Sequence, residues 1–148
     1  MSERTGQCMC GAVSFTATDV PDRFGACHCE MCRRWTGSAL LGVTVPADSI
    51  SWQGEAHIKT LQSSDWAERA WCGACGSALY YHVTMEGPMS KSIEIPLGLF
   101  DDGNGLSFDN EIYIDHKPDS FGYAGDRQRL TRSETLKKFG ISDEGDML

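Results

Sequence analysis

The chain contains the stretch Cys27-His28-Cys29-Glu30-Met31-Cys32-Arg33-Arg34, in which three thiols fall within six residues. A free cysteine packs as a small hydrophobe and gains nothing from neighbours of its own kind, so a shared ligand explains this spacing better than packing does. Soft thiolates favour Zn²⁺ or an iron–sulfur cluster over hard cations. Three protein ligands leave a tetrahedral ion one position short, and such an open position distinguishes a catalytic zinc from a structural one.

The remaining four cysteines form two pairs, Cys8 with Cys10 and Cys72 with Cys75, and each pair precedes a glycine. A Cys-x-x-Cys-Gly turn is typical of a zinc knuckle, because backbone N–H groups of the turn can donate to its first thiolate. We therefore predict one closed four-cysteine site, whose metal-binding free energy contributes directly to folding. The alternative for Cys72 and Cys75 is a redox pair, but a thioredoxin-like motif precedes a helix in a βαβ unit, and this one lies between strand-like runs.

Length, composition and charge limit the possible classes of protein. A chain of 148 residues with 41% hydrophobic and 23% charged residues predicts one globular domain over residues 1–148. A formal net charge of −8 would repel phosphate backbones and anionic membrane surfaces, so we expect neither a nucleic-acid nor a membrane partner. The N-terminal residues do not form a secretory signal, which predicts a cytoplasmic protein. Seven cysteines, an odd number, in a reducing compartment indicate metal binding rather than disulfides.

The pattern of apolar residues predicts a mainly β fold, because short alternating runs are separated by glycine-rich turns. We expect the runs at 49–54 and 56–61 to pair as a hairpin, and Pro96 to place the run at 92–100 at a sheet edge. The other predicted strands cover residues 12–18, 39–45, 67–71, 77–83 and 111–115.

One short C-terminal helix is predicted over residues 131–140, with Ser133 as its cap, a basic last turn and Gly140 at its end. The last residues, 141–148, are acidic and are expected to fray. No repeat or linker divides the chain.

The spacing of the three cysteines does not decide whether their metal has a fourth protein ligand, because a histidine could complete the site. His28 is nearest in sequence, although in an extended Cys-x-Cys it would point away from the sulfurs of its neighbours. The other candidates are His57, His82 and His116.

Arg33, Arg34 and Trp35 are candidate substrate-binding residues, because they follow the third thiol of the group. Three thiolates and one Zn²⁺ carry a net charge of −1, so two adjacent guanidinium groups could stabilise the thiolates or bind a substrate carboxylate. The alternative is that both arginines are solvated surface charges.

All seven cysteines fall in three motifs: Cys-x-Cys-Gly at 8–11, Cys-His-Cys-x-x-Cys-Arg-Arg-x-Thr-Gly-Ser at 27–38, and Trp-Cys-Gly-x-Cys-Gly-Ser at 71–77. These motifs resemble the family of glutathione-dependent formaldehyde-activating enzymes (GFA), which is grouped with centromere protein V. The resemblance covers about residues 5–120 and leaves 121–148 as a C-terminal tail. It implies an Mss4-like β-tent, which is a fold of short antiparallel strands stapled by zinc.

The resemblance also implies two zinc ions, of which the one in the three-cysteine site can be partly lost. The implied ligands of the structural zinc are Cys8, Cys10, Cys72 and Cys75, and those of the catalytic zinc are Cys27, Cys29 and Cys32.

The activity for which the family is named is the addition of the glutathione thiol to formaldehyde, giving S-hydroxymethylglutathione, which is classed as a carbon–sulfur lyase reaction from the reverse direction. An open zinc could hold the thiol as a thiolate or polarise the carbonyl oxygen. The expected partner is therefore a small thiol such as glutathione. The alternatives are a non-enzymatic zinc module that binds a protein through Arg33, Arg34 and Trp35, and a redox-sensing zinc–thiolate site.

Overall fold

The computed structural model of the protein describes residues 1–141 and confirms the mainly β fold. The two α-helices of the described residues are α1 (Glu30–Thr36) and α2 (Arg132–Lys138). No helix among these residues is both long enough and apolar enough to cross a membrane. The strands of the described residues are β1 (Ser2–Gln7), β2 (Ser14–Val20), β3 (Arg23–Cys27), β4 (Leu40–Pro46), β5 (Ile50–Gln53), β6 (Ile58–Gln62), β7 (Ala67–Cys72), β8 (Ala78–Val83), β9 (Ser92–Pro96), β10 (Ser107–Ile112) and β11 (Gln128–Leu130).

The strands form two sheets. The smaller sheet has the order β1-β2-β5, and the larger one has the order β11-β10-β3-β4-β9-β8-β7-β6. Most neighbouring strands are antiparallel, whereas β10 runs parallel to both β3 and β11. The larger sheet places the end of β3, which carries Cys27, next to β4 and β10.

The main core lies between the two sheets. The side chains of β4 alternate between this core and a cavity on the opposite face of the larger sheet. Val43 and Val45 are fully buried and pack in one cluster with Phe15 of β2 and Ile95 of β9. Gly42 and Thr44, at the alternate positions of β4, line a cavity on the other face of the larger sheet. Successive side chains of a strand point to opposite faces, so β4 stabilises the core with one set and shapes the cavity with the other.

The predicted hairpin of residues 49–54 and 56–61 is wrong. β5 pairs with β2 in the smaller sheet, and β6 pairs with β7 in the larger one. Between them Gly54 has φ +79°, and a Cβ at this position would lie 1.8 Å from the carbonyl oxygen of Ala12. This left-handed turn leads the chain from one sheet to the other, and only glycine fits there.

The prediction that Pro96 places its strand at an edge is also wrong, because β9 lies between β4 and β8. Pro96 is the last residue of β9, and the pairing with β8 involves only Glu94 and Ile93. The missing N–H group of proline therefore falls outside the ladder with β8, where it costs no hydrogen bond.

The C-terminal helix is confirmed, but its cap is Thr131 rather than Ser133. Thr131 accepts a hydrogen bond from the backbone N–H of Glu134, and the Glu134 side chain accepts one from the backbone N–H of Thr131, which completes a capping box. Residues 142–148 of the predicted frayed end lie outside the described residues. β1, β3, β11 and α1 were not predicted from the sequence. The strand predicted at 111–115 coincides with β10 only at residues 111 and 112, because a 3₁₀ turn follows at Ile114–His116.

A buried ion network ties the segment before α2 to the cysteine-rich stretch. Glu111 of β10 is 1% exposed, and one of its carboxylate oxygens lies 2.7 Å from Nε2 of His28. The other oxygen accepts hydrogen bonds from Arg127 at 2.8 Å and Arg129 at 2.9 Å. Burial raises the pKa of Glu111, but these three partners outweigh burial, so the pKa of Glu111 lies below its ordinary value. His28 and the chain around β11 are therefore held by a single carboxylate.

We expect the substitution Glu111→Gln to lower the free energy of unfolding by roughly 3 kcal/mol, because the buried guanidinium of Arg127 loses the charge that compensates it. The ionised Glu111 has a depressed pKa in the folded protein, so its stabilisation is present above the unfolded pKa of about 4.3 and is lost as the pH falls below it. Urea unfolding at neutral and acidic pH measures both effects.

The matched control for this experiment is Glu55→Gln, which changes an exposed carboxylate and should leave stability within about 0.5 kcal/mol. Equal stability of Glu111→Gln and the wild type at neutral pH would contradict a role for this network in holding the fold.

Candidate metal centres and cavity

The two outer cysteine pairs meet at one end of the structure. Cys8 and Cys10 lie at the turn between β1 and β2, while Cys72 ends β7 and Cys75 precedes β8. Their four sulfur atoms lie within 4.8 Å of one another, with 3.7 Å between Cys8 and Cys10 and 3.9 Å between Cys10 and Cys72. The structure thus brings together the four residues that the sequence predicted as one site.

Three of these four sulfurs have hydrogen-bond donors of the chain beside them. Backbone N–H groups of Ala12 and Val13 lie 3.5 and 3.4 Å from the sulfurs of Cys10 and Cys8. The hydroxyl and backbone of Ser77 lower the pKa of Cys75 to about 5. Four convergent thiols with hydrogen bonds to their sulfurs fit a soft divalent cation in tetrahedral coordination.

The second group consists of Cys27, Cys29 and Cys32, whose sulfur atoms also lie within 4.8 Å of one another. Cys27 is the last residue of β3, Cys29 is the N-cap of α1, and Cys32 lies in the first turn of that helix. The backbone N–H of Cys32 donates to the Cys29 sulfur at 3.1 Å. The change from strand to helix between Cys27 and Cys32 is what turns the three sulfurs towards one point.

Within residues 1–141, the group of potential ligand atoms around these three sulfurs includes no histidine or carboxylate. His28 points away, as the Cys-x-Cys spacing suggested, and Nε2 of its ring lies against Glu111. The ring of His82 has its Nε2 atom 2.8 Å from the backbone carbonyl oxygen of Ser90. His57 and His116 both lie in short 3₁₀ turns.

Arg69 of β7 supplies positive charge to this group and was not identified from the sequence. It is 4% exposed, and its two terminal nitrogens lie 3.9 and 3.8 Å from the Cys32 sulfur. The neighbouring thiols of Cys27 and Cys29, followed by the charge of Arg69, hold the pKa of Cys32 well below its usual value. A buried arginine cannot be distinguished from an exposed one by its position in a strand, so no signal in the sequence identified it.

The predicted substrate residues occupy three different surroundings. Arg34 is exposed and forms a 2.8 Å ion pair with Glu30, one turn earlier on α1. Trp35 stacks on Arg69, whose guanidinium carbon lies 4.8 Å from the centre of the indole ring. Arg33 is half-buried on the same helix. None of the three lines the cavity beside the cysteines.

A cavity of about 410 Å³ opens beside Cys27 and Cys32, on the face of the larger sheet that does not pack on the smaller one. Its walls are mainly apolar, with Lys138 and Phe139 of the α2 end among the lining residues. A volume of this size is in the range of small-molecule sites. Apart from the two cysteines, the polar side chains that line it are Thr44, Tyr81, Ser92, Glu94, Asn110 and Lys138.

Two paired glycines, Gly25 of β3 and Gly42 of β4, form part of the cavity wall. A Cβ at Gly25 would lie 2.7 Å from the side-chain oxygen of Asn110, and one at Gly42 would lie 3.1 Å from a carboxylate oxygen of Glu94. Neither glycine has a positive φ, so both provide room rather than an unusual backbone conformation. The polar ends of Asn110 and Glu94 therefore lean over this glycine pair.

Comparisons with known proteins agree with these observations. The model of the family described as "Glutathione-dependent formaldehyde-activating enzyme" matches residues 3–116. An uncharacterized lyase of Schizosaccharomyces pombe is 30% identical over 137 residues, which cover 93% of this chain and 97% of that protein.

A crystal structure of a Rhodobacter sphaeroides protein has a similar fold, with a TM-score of 0.56 at 18% identity over 70% of this chain and 98% of that chain. The family match covers most of the chain and includes all seven cysteines. This chain therefore belongs to the family of glutathione-dependent formaldehyde-activating enzymes.

Proposed function

We propose that the protein is a zinc-dependent carbon–sulfur lyase that acts on a thiol or a thiol adduct. The observation that supports this most directly is that two of the three converging cysteines, Cys27 and Cys32, line a cavity of small-molecule size. The family name specifies glutathione and formaldehyde, and the relative in Schizosaccharomyces pombe is named a lyase. By this likeness, the reaction is the reversible addition of the glutathione thiol to formaldehyde.

The donor sets support the choice of metal. Four sulfurs can enclose a structural zinc at Cys8, Cys10, Cys72 and Cys75, and three can hold a second zinc at Cys27, Cys29 and Cys32. When bound by these three thiolates, the second zinc would offer a fourth position and would lower the pKa of a thiol that occupied it.

The surrounding residues prepare the site in two ways. The guanidinium of Arg69 lies against the Cys32 sulfur and compensates the net charge of −1 that three thiolates and a divalent cation would carry. Apolar side chains of Leu40, Val83 and Ile112 line the cavity and exclude water from a bound substrate. The thiol would thus meet its carbonyl partner in a shielded space.

The two alternatives remain distinct in their structural requirements. A protein-interaction module would use Arg33, Arg34 and Trp35, but the cysteines face a concave cavity rather than that helix surface. A redox sensor would need thiols that oxidants can reach; of the three, Cys27 is partly exposed on the cavity wall, whereas Cys29 is fully buried and Cys32 is 3% exposed. The lyase proposal assumes a reducing compartment such as the cytoplasm, in which all the thiols stay reduced.

The lyase proposal predicts that the zinc-loaded wild type forms S-hydroxymethylglutathione from glutathione and formaldehyde faster than the uncatalysed reaction. Cys29→Ser should abolish this acceleration, because it alters one of three ligands. Exchange spectroscopy by NMR measures the rate at equilibrium. A wild type that accelerates the reaction of none of a panel of thiols would show that the protein is not an enzyme of this kind.

The two metal sites should differ in their contribution to stability. Cys72→Ala should lower the free energy of unfolding by at least about 4 kcal/mol, because it opens the site that joins the β1–β2 turn to β7. Cys29→Ala should cost about 1–2 kcal/mol, part of it from losing the N-cap of α1. Denaturant unfolding with zinc analysis of each variant measures both effects, and equal destabilisation would contradict the division into structural and catalytic sites.

A further inference from the structure

Glu94 is the one carboxylate among the described residues that line the cavity. It lies on β9, directly between Thr44 of β4 and Tyr81 of β8 in the register of the sheet. Its side chain is half-buried, so it is shielded by the walls and still reachable from the cavity.

The direction of the carboxylate brings it towards the cysteines. Thr44 donates a hydrogen bond to one oxygen at 2.8 Å, and the other oxygen lies over Gly42. Gly42 pairs with Gly25, which lies two residues before Cys27 on β3. Strands are about 4.8 Å apart and residues rise about 3.4 Å each, so the Cα atoms of Gly42 and Cys27 are about 8 Å apart. Glu94 and Cys27 therefore line the same stretch of the cavity wall.

The groups that face Glu94 make it suited to hold a proton. The pKa of Glu94 lies above its ordinary value, mainly because of burial. The hydrogen bond from Thr44 lowers this pKa, and the negative charge of Cys32 raises it. The other charged or titratable groups along this cavity are Cys27 on β3, Tyr81 on β8 and Lys138 on α2. A carboxylate with a raised pKa takes up a proton more readily at neutral pH than an exposed one does.

Tyr81, the register partner on β8, does not compete for this role. Burial raises the pKa of its phenol far above neutrality, so the hydroxyl keeps its proton. Its ring also stacks on the guanidinium of Arg69 at 4.9 Å. Of these two groups, Glu94 is the one whose proton can leave and return more readily, because a carboxyl group is a far stronger acid than a phenol.

We propose that Glu94 is the catalytic acid–base residue of the site, a role that rests on the proposed lyase function. In the direction of synthesis, its carboxylate accepts the S–H proton of the entering thiol. The sulfur then forms a bond to the carbonyl carbon while the C=O π bond breaks, and Glu94 returns the same proton to the carbonyl oxygen. The product is the hydroxymethyl thioether, no oxidant or reductant is needed, and the reverse sequence is the lyase reaction.

The kinetic test compares Glu94→Gln with the wild type in the glutathione–formaldehyde reaction. The amide keeps the size of the side chain but cannot carry the proton, so we expect kcat to fall by about 100-fold. Glu94→Asp keeps the carboxyl group at a shorter reach and should lose less activity. Glu55→Gln, which changes an exposed carboxylate outside the cavity, is the matched control and should keep wild-type activity.

A second measurement does not depend on turnover. Calorimetric titration of the zinc-loaded protein with glutathione, in two buffers of different ionisation enthalpy, counts the protons released when the thiol binds. The wild type should release close to none at neutral pH, because Glu94 retains the proton, and Glu94→Gln should release about one per thiol bound.

The two measurements separate the possible failures. No thiol binding and no acceleration by the wild type would overturn the lyase function, and the role of Glu94 with it. An active wild type that releases a full proton on binding would overturn the role of Glu94 alone, even if Glu94→Gln failed to fold. Wild-type kcat in Glu94→Gln, or a loss of thiol affinity with an unchanged proton count, would also overturn it.

Discussion

The structure depends on the convergence of sulfur atoms from turns that are far apart in sequence. Cys10 and Cys72 are separated by 62 residues and their sulfurs by 3.9 Å. Four thiols in such proximity repel one another once they ionise, so the arrangement is stable only with a cation that offsets their charge. This constraint joins the smaller sheet to the larger one, and it fixes where β2 begins and where β7 ends. The second sulfur group applies the same constraint to the end of β3 and the start of α1.

The two faces of the larger sheet have different roles, because one packs in the core and the other lines the cavity. One face packs against Phe15 and its neighbours in the smaller sheet, and the other carries Cys27, the glycine pair and Glu94. Because side chains alternate along each strand, a residue that packs the core is flanked by residues that shape the cavity. Substitutions at adjacent positions of β4 or β9 therefore affect different properties of the protein.

Much of this could be predicted from local patterns, because cysteine spacing and short-range alternation are visible in the sequence. The grouping of cysteines agreed with the structure, as did the strands that contain Val43, Ala70 and Leu79. The errors in the strands share one physical origin, which is that pairing between distant strands has no local signal. The hairpin failed because Gly54 redirects the chain, and β3 was missed because its neighbours β4 and β10 stabilise a run that includes Gly25. Arg69, Glu94 and Glu111 gain their roles only from burial and from partners on other strands.

The C-terminal part of the described chain helps to line the cavity but contributes none of the cysteines. The family match ends at residue 116, whereas Lys138 and Phe139 help to line the cavity, and β11 and the Glu111 network hold the segment that leads to them. A relative with the same cysteines but a different ending would keep the sulfur chemistry and present another entrance to it. Exchange of this segment is therefore a route by which one reactive centre can acquire a new range of substrates without any change to its ligands.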